Sequence, residues 1–178
     1  KSKNNFPDPS ILFDKYGVDA LRFYLMSGPL MKGEDVNFSE KTVQELSNKI
    51  IGRLFNVFTF YELYRDKKIE RNYQPKTKDV LNKWILARLE KTIEDVSLGM
   101  DRYDMSLATR PFEMFIEDLS TWYLRRSREK IKEGDAETKI VLYFALKTLI
   151  KLLSPFTPFV SEFIWLKLKH EEDEESVR

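Results

Sequence analysis

A long apolar stripe at helical spacing constrains the fold of this chain more than any other feature. Apolar side chains recur at i, i+3, i+4 and i+7 over residues 112–123, which is the pattern of one face of an amphipathic helix. By the same spacing Arg126 and Lys130 continue this stripe, while Arg125, Arg128 and Lys132 lie together on a neighbouring face. A guanidinium in line with a buried stripe predicts either a paired buried charge or a helix that leaves the core and meets an anionic partner. A solvated helix end, whose bases complement the helix dipole, is an equally open alternative. The stripe consists of Phe112, Phe115, Ile116, Leu119, Trp122 and Tyr123.

Helical periodicity extends over the rest of the chain, and no segment alternates with the period of a strand. Asp8 and Pro9 predict the start of a first short helix that Gly17 ends, and a second short helix follows up to Gly28. Five long helices are expected after them, at about 39–65, 77–104, 106–133, 136–153 and 155–169. Ser39 and Thr77 are the predicted N-caps of the first two. The sequence therefore predicts an all-α fold, an antiparallel helical bundle preceded by two short helices.

The last of these helices is expected to turn its aromatic and aliphatic side chains into the core, and the segment after it to lie outside the bundle. Five adjacent acids at 171–175 repel one another and cannot all be buried, which predicts a disordered tail. The side chains expected to face inward from the last helix are Phe156, Phe159, Phe163, Ile164 and Leu168.

Composition narrows the chemistry that the chain can perform. The 178 residues contain no cysteine and one histidine, His170 in the charged tail, so disulfides, thiolate metal sites and histidine-based catalysis are excluded and no metal is expected. The sequence has no glycine-rich phosphate loop, nucleophile elbow or recognisable pair of catalytic carboxylates. No apolar run of about 18 residues and no signal-type segment is found, so we expect a cytoplasmic chain without a membrane partner.

The overall charge of +1 conceals a basic body. Without the acidic tail, residues 1–169 contain 29 Lys and Arg against 24 Asp and Glu. This excess is compatible with nucleic-acid binding but does not by itself indicate it.

Five short segments, taken in their order along the chain, resemble consecutive segments of one known protein family. They are Lys1–Pro9, Tyr16–Leu25, Glu34–Glu40, Asn56–Phe60 and Leu153–Glu162. The first resembles the end of the KMSKS loop of class I aminoacyl-tRNA synthetases, beginning inside the motif at Lys1 and Ser2. The others are similar to the segments that follow this loop and form the helical anticodon-binding domain of that family.

Within this family, Trp122–Arg128 is similar to the isoleucyl-tRNA synthetase form, particularly its eukaryote-like branch; valyl- and leucyl-type domains are the alternatives. The resemblance implies an enzyme that uses ATP, with Mg, to attach isoleucine to its tRNA. It assigns residues 1–38 to a connector from the catalytic domain, 39–170 to the anticodon-binding domain and 171–178 to the acidic tail. This chain alone is expected to be non-catalytic and monomeric, to hold no cofactor, and to bind the anticodon stem-loop of isoleucine tRNA.

The resemblance and the basic cluster together give a set of candidate site residues. Lys1 and Ser2 are the remnant of the ATP loop, where a lysine would neutralise phosphate charge. Trp122 and Tyr123 are expected to be packing residues that position the cluster, and Asn56 has a structural alternative in binding a neighbouring backbone group. A structural or protein-interaction bundle with solubilising bases is the competing function. The predicted RNA-binding residues are Arg125, Arg126, Arg128, Lys130 and Lys132, with Arg53 and Asn56 as weaker candidates.

Overall fold

The computed structural model describes residues 8–65, 75–171 and 173–177. Within these ranges every regular element is helical and no strand is present, which confirms the all-α prediction. The α-helices are α1 Pro9–Tyr16, α2 Val18–Ser27, α3 Glu40–Leu46, α4 Arg53–Tyr64, α5 Val80–Asp101, α6 Met105–Glu117, α7 Leu124–Lys132, α8 Ala136–Leu153 and α9 Pro158–Leu168. A 3₁₀ turn covers Pro29–Lys32, and two π-helical segments, Ser47–Gly52 and Asp118–Tyr123, join α3 to α4 and α6 to α7.

The helix starts follow capping chemistry that is visible in the sequence. Asp8, Ser39 and Asp135 each accept a hydrogen bond from a backbone N–H two or three residues ahead, as expected of N-caps. The prediction of Thr77 as the cap of α5 is wrong. Asp79 caps this helix instead, because its carboxylate directly precedes Val80 and reaches the N–H groups at positions 81 and 82, at 2.9 and 3.0 Å.

Helices α4 to α9 form the bundle. Short turns reverse the chain between α5 and α6, between α7 and α8 and between α8 and α9, whereas α7 continues α6 in the same direction. The closest approach joins α5 to α6, where a Cβ added at Gly99 would lie 2.5 Å from the backbone nitrogen of Ala108. The core between the helices is aromatic and aliphatic and is fully closed to solvent at Phe112, Tyr123 and Trp165. Burial of such large side chains is the main term that favours folding.

Two helical rods that are distant in sequence lie side by side and run in the same direction. The first comprises α3, the first π-helical segment and α4; the second comprises α6, the second π-helical segment and α7. Their register is given by Lys49 beside Glu113, with Nζ and Oε1 2.7 Å apart, and by Arg53 beside Glu117, at 3.7 Å. This parallel pair is the part of the fold that forms the candidate site.

The second π-helical segment changes which residues face the core. Arg126 and Lys130 were expected to continue the buried stripe, but both are exposed, and Ser127 and Ile131 are buried in their place. In a π-helix the hydrogen bond runs from i to i+5, so the turn takes up about one residue more than an α-turn. Every later residue on the helix is rotated accordingly, and the stripe passes from Tyr123 to Ser127 and Ile131.

The last helix begins later than predicted and buries fewer aromatic rings. It starts at Pro158 rather than Pro155, and it lies on the surface of the bundle. Phe156, Ile164 and Leu168 are buried as expected, but Phe159 and Phe163 are 66% and 48% exposed. α9 contacts α8, α2, α4 and the tail, but the side of the helix that carries Phe159, Phe163 and Leu166 is left largely open to solvent.

The expectation of a disordered tail is contradicted by residues 173–177, which pack against α8 and α9. The carboxylate of Asp173 lies 2.5 Å from Nζ of Lys147, and both side chains are almost buried. The indole Nε1 of Trp165 donates a hydrogen bond to the backbone carbonyl of Glu174, at 3.1 Å. Charge repulsion does keep the carboxylates of Glu171, Glu174 and Glu175 in solvent. The tail docks through the carboxylate of Asp173, the backbone carbonyls of Glu174 and Glu175 and the buried Val177.

Candidate nucleic-acid interface

A groove of about 380 Å³ lies between α4 and the rod formed by the second π-helical segment and α7. It exists because these two rods run parallel, so that residues about four apart on one helix face residues about four apart on the other. Three of the predicted RNA-binding residues are brought together here. The lining residues are Asn56, Phe60, Ser120, Thr121, Leu124, Arg125 and Arg128.

The two arginines of the groove carry charge that the described part of the protein does not neutralise. Arg125 and Arg128 are exposed, and no described carboxylate lies within ion-pair distance of either. The guanidinium carbon of Arg128 lies 5.3 Å from the ring centroid of Phe60, within the range of a cation–π contact. Phe60 itself is buried, so the contact holds the guanidinium of Arg128 at the groove, and two cations without described partners attract anions there.

Polar groups in the groove have hydrogen-bonding capacity that the described residues do not use. Oγ of Ser120 is buried without a hydrogen-bond partner among them. Asn56 is exposed, and no described backbone group is hydrogen-bonded to its amide, so its structural alternative has no support here. Thr121 differs, because its hydroxyl donates to the carbonyl of Glu117 at 2.7 Å. The exposed amide of Asn56 therefore offers a donor and an acceptor in the groove beside the charge of the arginines.

Trp122 is not the packing residue that the sequence predicts. It is 48% exposed, and the guanidinium of Arg126 stacks 3.8 Å from its ring centroid. This exposed stack also excludes the alternative of Arg126 as one half of a buried ion pair. Arg126 and Trp122 instead present a planar surface to solvent, on the same rod as the groove arginines.

Tyr123 is a packing residue, as expected. It is fully buried, and its hydroxyl donates a 2.7 Å hydrogen bond to Oδ1 of the buried Asn82. Burial is the main reason why the pKa of Tyr123 is raised above its usual range. Its neutral hydroxyl fixes the rod against α5 and thereby positions the exposed residues on either side of it.

The remaining basic candidates have intramolecular partners and do not line the groove. Nζ of Lys130 lies 2.7 Å from Asp79, whose carboxylate raises the pKa of the lysine. Lys132 pairs with Glu129 on its own helix, at 2.9 Å. Arg53 lies one turn before Asn56 and faces Glu117. Their role in RNA binding stays a prediction. Each of these side chains would have to leave its carboxylate partner in order to bind a phosphate of the RNA.

Sequence reasoning missed Phe60, Ser120 and Thr121 as site residues. Phe60 belongs to the apolar stripe of α4, and short hydroxyl side chains carry no signal of their own. Their role follows only from the parallel pairing of two rods that are about 60 residues apart in sequence. Periodicity describes one helix at a time and cannot give this pairing.

Lys1 and Ser2, the predicted remnant of an ATP loop, lie outside the described residues. Among residues 8–65, 75–171 and 173–177, no group of three or more potential metal ligands is assembled.

None of the helices in the described ranges is both long enough and apolar enough to span a membrane.

Comparison with known proteins bears on the family of the chain. Residues 82–177 match the family model described as the anticodon-binding domain of tRNA ligase. An isoleucine–tRNA ligase of Chlamydia trachomatis serovar L2 is 36% identical over 187 residues, an alignment that covers 99% of this chain and 18% of that protein. The cytoplasmic isoleucine–tRNA ligase of Saccharomyces cerevisiae is 35% identical over 181 residues, covering 95% of this chain and 17% of that protein. The chain thus spans less than a fifth of the length of these curated relatives.

Solved structures support the same fold at lower identity. A leucyl-tRNA synthetase of Agrobacterium radiobacter K84, crystallised with tRNA and LeuAMS, superposes with a TM-score of 0.72 at 21% identity, over 99% of this chain and 20% of that one. The free methionyl-tRNA synthetase of Mycobacterium tuberculosis gives a TM-score of 0.66 at 19% identity, over 89% and 34% of the two chains. With the family match over more than half of its residues, the chain belongs to the anticodon-binding domains of class I tRNA ligases, and its relatives at 35–36% identity are isoleucine–tRNA ligases.

Proposed function

We propose that this chain binds the anticodon stem-loop of isoleucine tRNA, as the RNA-binding part of an isoleucine–tRNA ligase. The observation that carries the proposal is the pair Arg125 and Arg128, which have no described carboxylate partner and line a groove with Phe60 and Asn56. Family membership supports RNA as the ligand, and the relatives support isoleucine as the amino acid.

The chemistry of the groove suits a single-stranded loop better than a duplex. Bases in an anticodon loop are unstacked, so that they can stack on aromatic rings or guanidinium planes and form hydrogen bonds through their edges. The exposed Trp122–Arg126 stack supplies a flat surface, and Asn56 supplies an amide that can both donate and accept. The guanidinium forks of Arg125 and Arg128 can pair with phosphate oxygens of the backbone.

The activity of the whole ligase belongs to the same proposal. It would activate isoleucine with ATP and Mg and transfer it to tRNA, in the cytoplasm. The residues of this chain would contribute binding and orientation of the RNA rather than the chemical step. We propose a monomeric chain, with tRNA as its partner.

Binding of labelled RNA to the 178-residue chain tests the proposal. Fluorescence anisotropy would compare the anticodon stem-loop of isoleucine tRNA with a fully paired duplex of the same charge and with valine and leucine stem-loops. We expect binding at low salt that weakens as salt is added, a preference for the loop over the duplex, and the tightest binding for the isoleucine loop.

Each control addresses a different part of the proposal. Absence of binding at low salt, or equal affinity for the duplex, would contradict loop recognition and favour a structural or protein-interaction bundle. Equal affinity for all three loops would contradict isoleucine specificity while leaving loop recognition in place.

A further inference from the structure

The N-terminus of α9 is capped by a side chain that lies about 140 residues earlier in the chain. Thr157 occupies the N-cap position but makes no side-chain cap, and its hydroxyl instead contacts Leu153 and Ser161. Asp19 of α2 takes over this function. Its carboxylate accepts a hydrogen bond from the N–H of Val160 at 2.7 Å and a longer one from Phe159 at 3.4 Å. Two of the unpaired N–H groups that begin every helix are thus satisfied by the leading helices.

A second contact fastens the same two elements. Arg22, one turn further along α2, donates a hydrogen bond to the backbone carbonyl of Pro155 in the turn between α8 and α9, at 3.2 Å. Asp19 of α2 therefore accepts hydrogen bonds from the first turn of α9, and Arg22 of α2 donates one to the turn that precedes α9. Phe23 of α2 packs on Phe112 of α6, with ring centroids 6.4 Å apart, and the bonds made by Asp19 and Arg22 add directional contacts that fix the rotation of α2 against α9.

Asp19 is buried in a manner that suits a fixed joint. Only 5% of the residue is exposed, and burial raises the pKa of its carboxyl group, against the opposing effect of the Val160 and Phe159 N–H groups. A buried carboxylate is tolerated when hydrogen bonds replace water, and here these bonds come from backbone groups at a helix N-terminus. An apolar side chain at position 19 would fill the space but could not accept the hydrogen bonds from α9.

The helix held by Asp19 also supports the wall of the candidate groove. Phe163 of α9 packs on Phe55 and Phe58 of α4, with ring centroids 5.7 and 6.3 Å apart. Asn56, a lining residue of the groove, lies between these two phenylalanines in sequence. One helix therefore contacts α2 at its N-terminus and the groove-bearing helix at its middle.

We propose that Asp19 is a positioning residue, which sets the orientation of the anticodon groove relative to the catalytic part of the ligase through its cap on α9. This inference rests on the proposed function and on the resemblance that makes residues 1–38, and with them α2, the connector from the catalytic domain. RNA held in the groove has its acceptor end far away, so a small rotation at the joint moves that end by a large distance. Misplacement of a reacting group by about 1 Å can lower a rate on the order of 100-fold.

The test uses the full-length ligase that carries this chain, with Asp19→Asn and Asp19→Ala as the variants. Three quantities are measured: ATP–pyrophosphate exchange with isoleucine, kcat and KM for aminoacylation of tRNA, and affinity for the isolated stem-loop. We expect unchanged exchange, stem-loop affinity within about twofold, and a fall in aminoacylation kcat of roughly tenfold or more for the alanine variant. Asparagine keeps one acceptor oxygen, so its loss is expected to be smaller.

Asp135→Ala is the matched control. Asp135 caps α8 through the N–H of Thr138 at 2.9 Å, but it contacts its own helix and makes no joint between α2 and the bundle. Arg22→Ala provides a second variant whose folding is safe, because Arg22 is exposed. It is expected to lower aminoacylation in the same direction as Asp19→Ala and by a smaller factor.

Several results would overturn the inference. These are wild-type aminoacylation in the Arg22 variant or in a folded Asp19→Ala variant, an equal loss in the Asp135 control, or a loss that is matched by weaker stem-loop binding. Absence of stem-loop binding by the wild-type protein is a separate result, which would contradict the proposed function itself.

Discussion

Removing the two groove arginines is the sharpest way to examine RNA binding by this chain. In the variant Arg125→Ala/Arg128→Ala, two positive charges leave the groove. Each phosphate contact on single-stranded nucleic acid contributes about 0.7 to the slope of log K against log salt. If both arginines contact phosphates, the slope falls by about 1.4, so the wild-type protein loses roughly sevenfold more affinity than the variant between about 50 and 200 mM salt.

The same substitutions are expected to have little effect on folding. Both side chains are exposed, and an exposed substitution usually changes the free energy of unfolding by no more than about 0.5 kcal/mol. The contact of Arg128 with Phe60 adds about 0.5–1 kcal/mol at most. A large loss of RNA affinity therefore cannot be attributed to unfolding, and urea titration of both proteins checks this directly.

A matched control lies on the same helix. Lys130→Ala/Lys132→Ala removes the same two charges, but these lysines are paired with Asp79 and Glu129. Anisotropy titrations of all three proteins at four or more salt concentrations give the slopes. We expect a clear decrease for the arginine variant and a smaller one for the lysine variant. Equal slopes for the two variants would refute the assignment of the phosphate contacts to the groove, because net charge alone would then explain the binding.

Three further predictions concern stability. Tyr123→Phe leaves the buried Oδ1 of Asn82 without its 2.7 Å donor, which should cost about 1–3 kcal/mol in a urea titration and leave RNA affinity unchanged. Asp173→Ala leaves Lys147 nearly buried without its carboxylate, and the expected cost in the same assay is about 3–5 kcal/mol. Lys130 and backbone N–H groups hold the pKa of Asp79 below its usual value, so its contribution to stability is present above about pH 4 and lost as the pH falls through the lowered pKa. Asp79→Asn should therefore reduce the loss of stability, measured by urea midpoints, between neutral pH and about pH 2.

Each of these predictions has a result that contradicts it. An unchanged urea midpoint in Tyr123→Phe would mean that water or another donor replaces the hydroxyl. Glu171→Ala, at an exposed site in the tail, is the control for Asp173→Ala, and equal effects of the two would contradict docking of the tail through the Lys147 pair. If the stability of Asp79→Asn falls with pH in parallel with that of the wild-type protein, other carboxylates determine the loss of stability at low pH.

The helices could be predicted from sequence because their signals are local. Asp8, Ser39 and Asp135 lie just before apolar periodic segments, and each caps the helix that follows. Fold class follows from the same periodicity. The mistaken cap at Thr77 has the same origin, since Thr77 and Asp79 are both good capping residues two positions apart, and the choice depends on contacts with Asn82 and Lys130 that sequence does not show.

The candidate site could be predicted only in part, because it depends on the phase of one helix and on its neighbour. Counting 3.6 residues per turn places Trp122 and Arg126 on the buried stripe, whereas the wider π-turn at Asp118–Tyr123 brings Ser127 and Ile131 there. That rotation keeps Tyr123 bonded to Asn82 in the core while Trp122 and Arg126 stack in solvent.

The π-helical segment also contributes to the floor of the groove, through Ser120 and Thr121. A regular α-helix would shift every residue after this segment by about the angle of one residue, and would separate Arg125 and Arg128 from the α4 residues that they face. A widened turn inside a helix has a cost, and such turns are frequent at functional sites. Here the wider turn allows one rod to direct its apolar face into the core and its basic face towards the groove. The sequence shows both faces, but the angle between them is set by the turn.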